Sequence, residues 1–204
     1  MSDIIEPSQQ PEPAAPAEAQ LSPVVRPKGR SALIEMLQTI LLAVALYFAI
    51  DAVVARVRVE NISMEPTLQP GEFILVSKLA YRLGEMHTGD VVVFHHSATE
   101  DYIKRLIGLP GQTVRVASGR VFVNDHELIE PYISEAPAYS GEWIVPEDFV
   151  FVLGDNRNQS SDSHSWGFVP VDTIVGKALV VYWPFDQLQV INSTTSKNTV
   201  TISP

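Results

Sequence analysis

Residues 102–111 read YIKRLIGLPG, a β-strand pattern that ends in a Pro-Gly turn. Aromatic and β-branched residues favour a strand, and the Pro-Gly pair interrupts it. Similar short runs recur after residue 57, separated by Gly, Pro, Asn or Asp. They span residues 73–76, 91–94, 113–116, 121–123, 149–153 and 173–182. We therefore predict a mainly β fold over 57–190, an antiparallel sheet or barrel-like domain with a small β insertion at about 118–148.

An uninterrupted apolar run, Ile40–Ile50 (ILLAVALYFAI), precedes the β region. A helix that spans a bilayer needs about 20 mostly apolar residues, and the surrounding segment 32–56 is long enough. We predict one N-terminal transmembrane signal anchor over 32–56. A buried core helix is one alternative. A cleaved secretory signal is another, because Val53-Val54-Ala55 resembles a small-residue cleavage site.

The two ends of the chain are polar. Residues 1–31 are rich in Pro and Ala, lack aromatic residues and cannot bury much apolar surface, which predicts a disordered cytoplasmic tail. This tail carries Arg26, Lys28 and Arg30 just before the apolar run, and positive charge favours the cytoplasmic side of a membrane. The predicted β domain is then extracytoplasmic. Residues 191–204 are rich in Ser, Thr and Asn and are predicted to form a flexible tail.

Composition excludes several classes of function. The 204 residues include no cysteine, which excludes a disulfide scaffold, a thiolate zinc site and a cysteine nucleophile. The 14 Lys and Arg stand against 24 Asp and Glu, giving a net charge of −10. Phosphate contacts require a basic face, so no nucleic-acid partner is expected. The pattern indicates no metal site either, because His95 and His96 are adjacent and would face opposite sides of a strand.

The segment Asn61–Leu68 (NISMEPTL) places Ser63 in a turn beside a proline. Flanked by Met64 and Leu68, Ser63 could be a nucleophile beside an apolar pocket. On its own the segment also fits an ordinary turn before a proline.

Lys104 and Arg105 lie on the predicted strand 102–107 and must point to opposite faces. If Tyr102 and Leu106 face inward, Lys104 is half-buried and Arg105 can reach a surface carboxylate. A lysine in apolar surroundings loses proton affinity and can take a proton from a serine hydroxyl. The alternative is an edge lysine exposed to water, which deters sheet aggregation.

A polar stretch, Gly154–Gly167 (GDNRNQSSDSHSWG), directly follows an apolar strand. It is dense in turn-forming and hydrogen-bonding residues, and Asp155, Arg157 and Asp162 can form ion pairs. It fits a long surface loop, but polar loops held on a rigid sheet are also where functional sites occur.

Together these segments resemble one family, the type I signal peptidases, which are membrane-anchored Ser–Lys proteases. The family pattern is SMxPTL, then KRxxGxPG, then GDNRxxSxDSRxxG. This chain has SMEPTL, KRLIGLPG and GDNRNQSSDSHSWG in that order after a single apolar run, so the resemblance extends from the anchor to about residue 185.

The resemblance implies catalytic roles by position. Ser63 is the expected nucleophile and Lys104 the general base. Ser160 is expected to hydrogen-bond the Lys104 amine and orient it. The Ser63 N–H is the expected oxyanion donor, and Asn61 stands where some members have a serine that gives a second donor. Its side-chain amide could donate instead.

The resemblance also implies supporting roles. Arg105 is expected to pair with Asp155, and Asp162 belongs to the charge network of the loop. The family has Arg where this chain has His164, so a pair between His164 and Asp162 would depend on histidine protonation.

The expected substrate pocket is a shallow apolar cleft that admits only small side chains, as in Ala-x-Ala before the scissile bond. Its expected lining residues are Val59, Met64, Leu68 and Ile103. The aromatic segment Tyr182–Phe185 could rest on the lipid surface or pack in the core as a strand end.

The implied function is cleavage of signal peptides from exported preproteins through an acyl-enzyme, with no cofactor and no metal. The expected partners are preprotein signal peptides and the lipid bilayer, with the secretion machinery as a further possible partner. The expected location is the plasma membrane, with an internal membrane such as the thylakoid as an alternative. Three other hypotheses remain, namely a narrow-client peptidase of the same family, a self-cleaving regulator on a related fold, and an inactive membrane-tethered binding domain.

Overall fold

The computed structural model describes residues 32–192. The predicted N-terminal tail (1–31) and residues 193–204 of the predicted C-terminal tail lie outside the described residues. The chain divides into two units, residues 1–42 and 43–204. Of the first unit, the described part is helical from Ala32 onward.

The N-terminal helix α1 (Ala32–Val53) has 22 residues, none of them buried. At about 1.5 Å per residue it is long enough for the hydrocarbon core of a bilayer, and it is the one helix in the described range both long and apolar enough to cross. The predicted anchor extended to residue 56, but the helix ends at Val53. Strand β1 (Val54–Arg58) begins at the next residue, because its backbone pairs with residues 73–77.

Twelve strands lie in the remaining described chain, and β1 is the first of them. In chain order the others are β2 (Phe73–Ser77), β3 (Val91–His95), β4 (Asp101–Gly108), β5 (Thr113–Ala117), β6 (Arg120–Val123), β7 (His126–Glu127), β8 (Gly141–Ile144), β9 (Phe149–Leu153), β10 (Val169–Pro170), β11 (Ile174–Trp183) and β12 (Gln189–Val190). Two short helices, α2 (Ala80–Leu83) and α3 (Ser163–Trp166), and 3₁₀ turns at Ile62–Met64, Val171–Thr173 and Phe185–Gln187 connect them.

The strands form two antiparallel sheets. The larger follows the order β1-β2-β11-β3-β4-β9-β10, with β12 also paired to β11. The smaller follows the order β7-β6-β5-β8 and lies between β4 and β9 in sequence. Its strands overlap the segment 118–148 predicted as a small β insertion, and they run from Thr113 to Ile144. For residues 32–192, the mainly antiparallel β fold and one N-terminal apolar helix are confirmed.

Apolar side chains form three buried clusters around these sheets. One includes Val59, Met64 and Leu68 beside the inward residues of β2 and β11. The second fills the space beneath the smaller sheet, around Phe151. The third contains Phe94 and residues of β9. Strand β4 contributes to the last two and has a neighbour on each side, β3 and β9, so its central residues are held rigidly.

Every run predicted as a strand is a strand in the structure, within a residue or two at each end. The strands that sequence reasoning missed are β1, β7, β8, β10 and β12. Three of these have only two residues, too short for an alternating pattern to be visible.

Candidate active site

Ser63 lies in the short 3₁₀ turn Ile62–Met64 that follows β1. Its side chain is nearly buried, with 7% of the residue exposed. Met64 anchors the turn in the first apolar cluster, and the Leu68 N–H donates to the Met64 carbonyl oxygen at 2.9 Å. The turn therefore holds the Ser63 hydroxyl at a fixed place at the edge of the apolar core.

Lys104 lies in the middle of β4 and is 3% exposed. Its Nζ donates to Ser63 Oγ at 2.7 Å, across 41 residues of sequence. Burial lowers the pKa of Lys104 from 10.5 to about 8, against the opposing negative charges of Asp162 and Asp155. The Tyr102 ring also faces this amine, with its centroid 5.5 Å from Nζ. A hydroxyl in contact with an amine that loses its proton this readily is the arrangement that serine activation requires.

Arg105 is fully buried, and so is Asp155 from the polar loop. Arg105 Nε and Nη2 donate to the two carboxylate oxygens at 2.8 and 2.7 Å, a two-pronged ion pair. Thr67 Oγ1 donates to the same carboxylate, and Arg105 Nη1 donates to the Gly89 carbonyl oxygen at 2.7 Å. The expectation that Arg105 finds a surface carboxylate is wrong, because its carboxylate partner is as buried as the guanidinium.

The polar loop after β9 is held by Asp162, which is fully buried. One of its carboxylate oxygens accepts the Gly154 N–H at 2.9 Å, and the other lies 2.6 Å from His164 Nδ1. Asp162 also caps α3 by accepting the His164 N–H. The His164 ring stacks on Tyr139, with ring centroids 4.0 Å apart. The loop is thus an ordered part of the site.

The polar loop approaches the Ser63 turn closely at Gly154. A Cβ on residue 154 would collide with Ser160 Oγ and with the Ser63 carbonyl oxygen. That carbonyl oxygen also accepts the Asn156 N–H at 3.1 Å. Only glycine fits at 154 without displacing Ser160 or the Ser63 turn.

The structure does not show the expected hydrogen bond between Ser160 and Lys104. Ser160 Oγ is buried and has no hydrogen-bond partner within residues 32–192. The Lys104 amine donates to Ser63 Oγ, and none of its hydrogen bonds in the described residues goes to Ser160 Oγ. Ser160 nevertheless lies against Gly154, beside the Ser63 turn.

Asn61 is also oriented differently from the expectation. Its side-chain oxygen Oδ1, not its amide nitrogen, faces Ser63 and accepts the Ser63 hydroxyl at 2.7 Å. The same oxygen accepts the Ser63 N–H at 3.2 Å, because Asn61 is the N-cap of the 3₁₀ turn. The backbone donor expected for an oxyanion is therefore occupied by a side chain of the same chain.

A cleft of about 730 Å³ opens beside Ser63, between residues 56–64 and 95–103. Val59, Met64 and Ile103 line it near the serine. Leu68, expected in this lining, is fully buried in the first apolar cluster and does not reach the cleft, because the turn from Met64 directs it inward. The cleft is not wholly apolar. Its charged or ionisable lining residues are Arg56, Arg58, Glu60, His95, Glu100 and Asp101.

The family model described as "Signal peptidase, peptidase S26" matches residues 33–183, which include the whole site. The chain belongs to this family. A "Signal peptidase I" of Leptolyngbya laminosa is 42% identical over 198 residues, which cover 92% of this chain and 95% of that relative. A "Probable signal peptidase I-2" of Synechocystis is 42% identical over 180 residues, covering 84% of this chain and 83% of the relative.

Two further matches have lower sequence identity. "Thylakoidal processing peptidase 1, chloroplastic" of Arabidopsis thaliana is 37% identical over 139 residues, covering 62% of this chain and 41% of the relative. A crystal structure of a signal peptidase I from Enterococcus faecalis is 30% identical and has a TM-score of 0.43, covering 46% of this chain and 96% of that chain.

As a type I signal peptidase, the chain is a serine endopeptidase with preprotein signal peptides as its substrates. The apolar helix α1 and the signal peptidase relatives together indicate a membrane-anchored protein.

Sequence reasoning missed a second charged cluster behind the site of this signal peptidase. Arg157 donates to both carboxylate oxygens of Glu130 at 2.6 Å, and both side chains are buried. Hydrogen bonds and the negative charge of Glu130 raise the pKa of Arg157 although burial opposes this. The Tyr132 ring lies close to both arginines. Its centroid is 3.7 Å from Arg105 Cζ and 6.0 Å from Arg157 Cζ. Arg157 was visible as a charge in the loop, but nothing in the sequence around Glu130 indicated its partner.

Proposed function

We propose that Ser63 is the nucleophile and Lys104 the general base of this signal peptidase. The observation that carries the proposal is the 2.7 Å contact between Lys104 Nζ and Ser63 Oγ in a nearly buried setting. An amine whose pKa is about 8 is available as a base at mildly alkaline pH, whereas an ordinary lysine is not.

The reaction proceeds by acyl transfer. The neutral Lys104 amine takes the hydroxyl proton as Ser63 Oγ bonds to the substrate carbonyl carbon, and the tetrahedral oxyanion accepts the Ser63 N–H. The ammonium then returns its proton to the leaving amine as the peptide C–N bond breaks. Water, deprotonated by Lys104, adds to the acyl-enzyme and releases Ser63 with its proton restored. Serine–lysine pairs are one variant of the triad logic.

Ser160 takes part after Lys104 loses its proton. Its buried hydroxyl lies beside the Ser63 turn and has no partner within the described residues. A neutral Lys104 amine that turns to accept from Ser63 keeps two N–H groups, and one of them can donate to such an acceptor. In this role Ser160 orients the base during the reaction, not at rest.

The substrates are preproteins with small residues before the scissile bond, as in Ala-x-Ala. Near Ser63 the cleft is bounded by the buried side chains of Val59 and Met64 and by Ile103. Because these wall side chains are packed and cannot move aside, bulky substrate side chains are excluded sterically. A peptidase with a narrow client would have the same chemistry, and a panel of preproteins separates the two.

We place the enzyme in the plasma membrane with its N-terminus cytoplasmic and its β domain outside. Arg26, Lys28 and Arg30 support this orientation. Trp183 and Phe185 are 46% and 75% exposed, which suits contact with lipid headgroups. The name of the Arabidopsis relative makes a thylakoid membrane the alternative. Protease treatment of intact cells should digest a C-terminal tag and spare an N-terminal one; the reverse pattern contradicts the orientation.

The deciding experiment is cleavage of a synthetic preprotein with an Ala-x-Ala site, in detergent, by the wild type, Ser63→Ala and Lys104→Ala. We expect cleavage after the second Ala by the wild type and none by either folded variant. Ser97→Ala and Lys78→Ala are the controls, since Ser97 is exposed and the Lys78 amine contacts the Asp51 carbonyl oxygen instead of a hydroxyl.

Activity retained by Lys104→Ala would show that another group is the base. Failure of the wild type on several preproteins would favour the narrow client or an inactive binding domain.

A further inference from the structure

Two hydrogen bonds hold Ser63 in an arrangement that cannot react. The Ser63 hydroxyl donates its proton to Asn61 Oδ1, and the two oxygens lie 2.7 Å apart. At the same time Lys104 Nζ donates to this hydroxyl oxygen. A general base must accept that proton, so the hydroxyl has to turn from Asn61 towards Lys104 before attack. The Ser63 N–H also donates to Asn61 Oδ1, and an oxyanion needs this N–H.

We propose that Asn61 is a positioning residue that holds the free enzyme in a resting arrangement, and that the scissile carbonyl oxygen of the substrate displaces the Asn61 side-chain oxygen from Ser63. The proposal rests on the proposed Ser63–Lys104 chemistry. It assigns Asn61 the opposite role to an oxyanion donor, because its oxygen competes with the substrate for the Ser63 N–H.

The position of Asn61 suits this role. Asn61 is exposed and lines the cleft, so an incoming peptide can reach and move its side chain. Within residues 32–192 the Asn61 side chain has hydrogen bonds to Ser63 only. Releasing it therefore breaks two local contacts and leaves the apolar cluster beneath Met64 intact.

The resting arrangement also favours the protonated form of Lys104. An ammonium donates to Ser63 Oγ, and the hydroxyl then has its own proton free for Asn61. A neutral amine must accept from Ser63, and it competes with Asn61 Oδ1 for one proton. Removing the Asn61 oxygen should thus make Lys104 lose its proton at lower pH. The other groups that face Lys104, namely the Tyr102 ring, Asp155 and Asp162, are unchanged by this removal.

The test is the pH dependence of preprotein cleavage by the full chain and by Asn61→Ala and Asn61→Gly. Gly is an adequate N-cap, so the second variant keeps the turn if Ala disturbs it. We expect the midpoint of the rise in kcat/KM to fall by about 0.5–1 pH unit, the size of one hydrogen bond. Above pH 9, kcat/KM should stay within about tenfold of the wild type. An oxyanion donor would instead cost about 10²–10³-fold with no change in midpoint, and that result in both variants overturns the proposal.

A second readout separates this proposal from the Ser63–Lys104 chemistry. NMR of 13C- and 15N-labelled lysine follows the Lys104 titration without substrate, and we expect the same downward shift in both Asn61 variants. Asn156→Ala is the matched control, because Asn156 Nδ2 donates to the Ile62 carbonyl oxygen of the same turn but its side chain does not bond Ser63. Its titration should match the wild type.

An unmoved Lys104 titration in both Asn61 variants overturns the resting role whatever the activity. If Ser63→Ala still cleaves, the catalytic assignment fails, while the titration still shows whether Asn61 competes for the hydroxyl proton.

Discussion

Lys104 and Arg105 are neighbours on strand β4 and both are buried, yet their surroundings differ. Arg105 donates two hydrogen bonds to the Asp155 carboxylate and a third to the Gly89 carbonyl oxygen. Lys104 contacts a hydroxyl and an aromatic ring, and its nearest negative charges, Asp162 and Asp155, only partly offset burial. The charge of Arg105 on one face of the strand is therefore compensated by a paired carboxylate, whereas the charge of Lys104 on the other face is not.

This difference distinguishes a buried cation that stabilises the fold from one that is suited to act as a base. A compensated buried charge is fixed, and removing its partner leaves an unpaired charge. An uncompensated amine sheds its proton near physiological pH, which makes it a base but also costs stability. The alternation of side chains along one strand is enough to place the two environments next to each other.

The largest expected effect is the loss of cleavage in Lys104→Met. Methionine fills a similar volume but cannot accept a proton, so the rate should fall on the order of 10⁴-fold or more. Because the desolvated amine is removed, the melting temperature at pH 7 should not fall and should rise. Preprotein cleavage and thermal denaturation measure the two effects; a lower melting temperature would mean that Lys104 is better compensated than the structure indicates.

Arg105→Met should have the opposite effect on stability. It leaves Asp155 buried without its cation, and we expect a loss of about 3–5 kcal/mol in the free energy of unfolding. Urea denaturation measures this loss. The double variant Arg105→Met/Asp155→Leu is the control and should recover most of it, since no unpaired charge remains. If the double variant is as unstable as the single one, packing, not charge, explains the effect.

Ser160→Ala should lower cleavage by about 10–100-fold, the size of a lost hydrogen bond to a charged or reacting group. Its stability should be unchanged, because the resting hydroxyl has no partner within the described residues. Ser163→Ala is the matched control on the same loop. Ser163 Oγ accepts the Val152 N–H at 3.0 Å, so this variant should lose stability and keep its activity. Equal activities of the two variants would remove Ser160 from the mechanism.

The smallest expected effect, counted per pH unit, is that of pH. Cleavage requires the neutral amine of Lys104, so kcat/KM should rise about tenfold per pH unit up to about 8 and then level off. Between about 8 and 10.5 the unfolded chain binds the lysine proton and the folded one does not, so stability rises with pH in this window. Lys104→Met should remove that contribution. A rise in kcat/KM centred near pH 10.5 would mean that Lys104 keeps an ordinary pKa.

Much of this fold is visible in the sequence. Short runs of β-branched and aromatic residues, bounded by Gly, Pro, Asn or Asp, predicted the long strands, and alternation placed Lys104 and Arg105 on opposite faces. The two-residue strands carry too little pattern to be detected. The helix ends three residues before the end of the predicted anchor segment, because Val54 and Ala55 suit either a helix in lipid or a strand beside β2.

The site was less predictable because its contacts cross long stretches of sequence. Burial of Arg105 depends on Asp155, and the Arg157 pair depends on Glu130. The direction of the Asn61 amide has no sequence signal at all, since one side chain carries both a donor and an acceptor. Which of them faces Ser63 follows from the turn that Asn61 caps.

The close approach at Gly154 has a consequence for synthesis of the chain. Ser63 and Lys104 leave the ribosome well before the loop whose Asn156 N–H binds the Ser63 carbonyl oxygen. Until that loop docks, the Ser63 turn lacks the contact with the Asn156 N–H, and Asp155 has not yet met Arg105. In a growing chain the Ser63 turn is therefore not fully held until the loop that contains Gly154 has been synthesised and has docked.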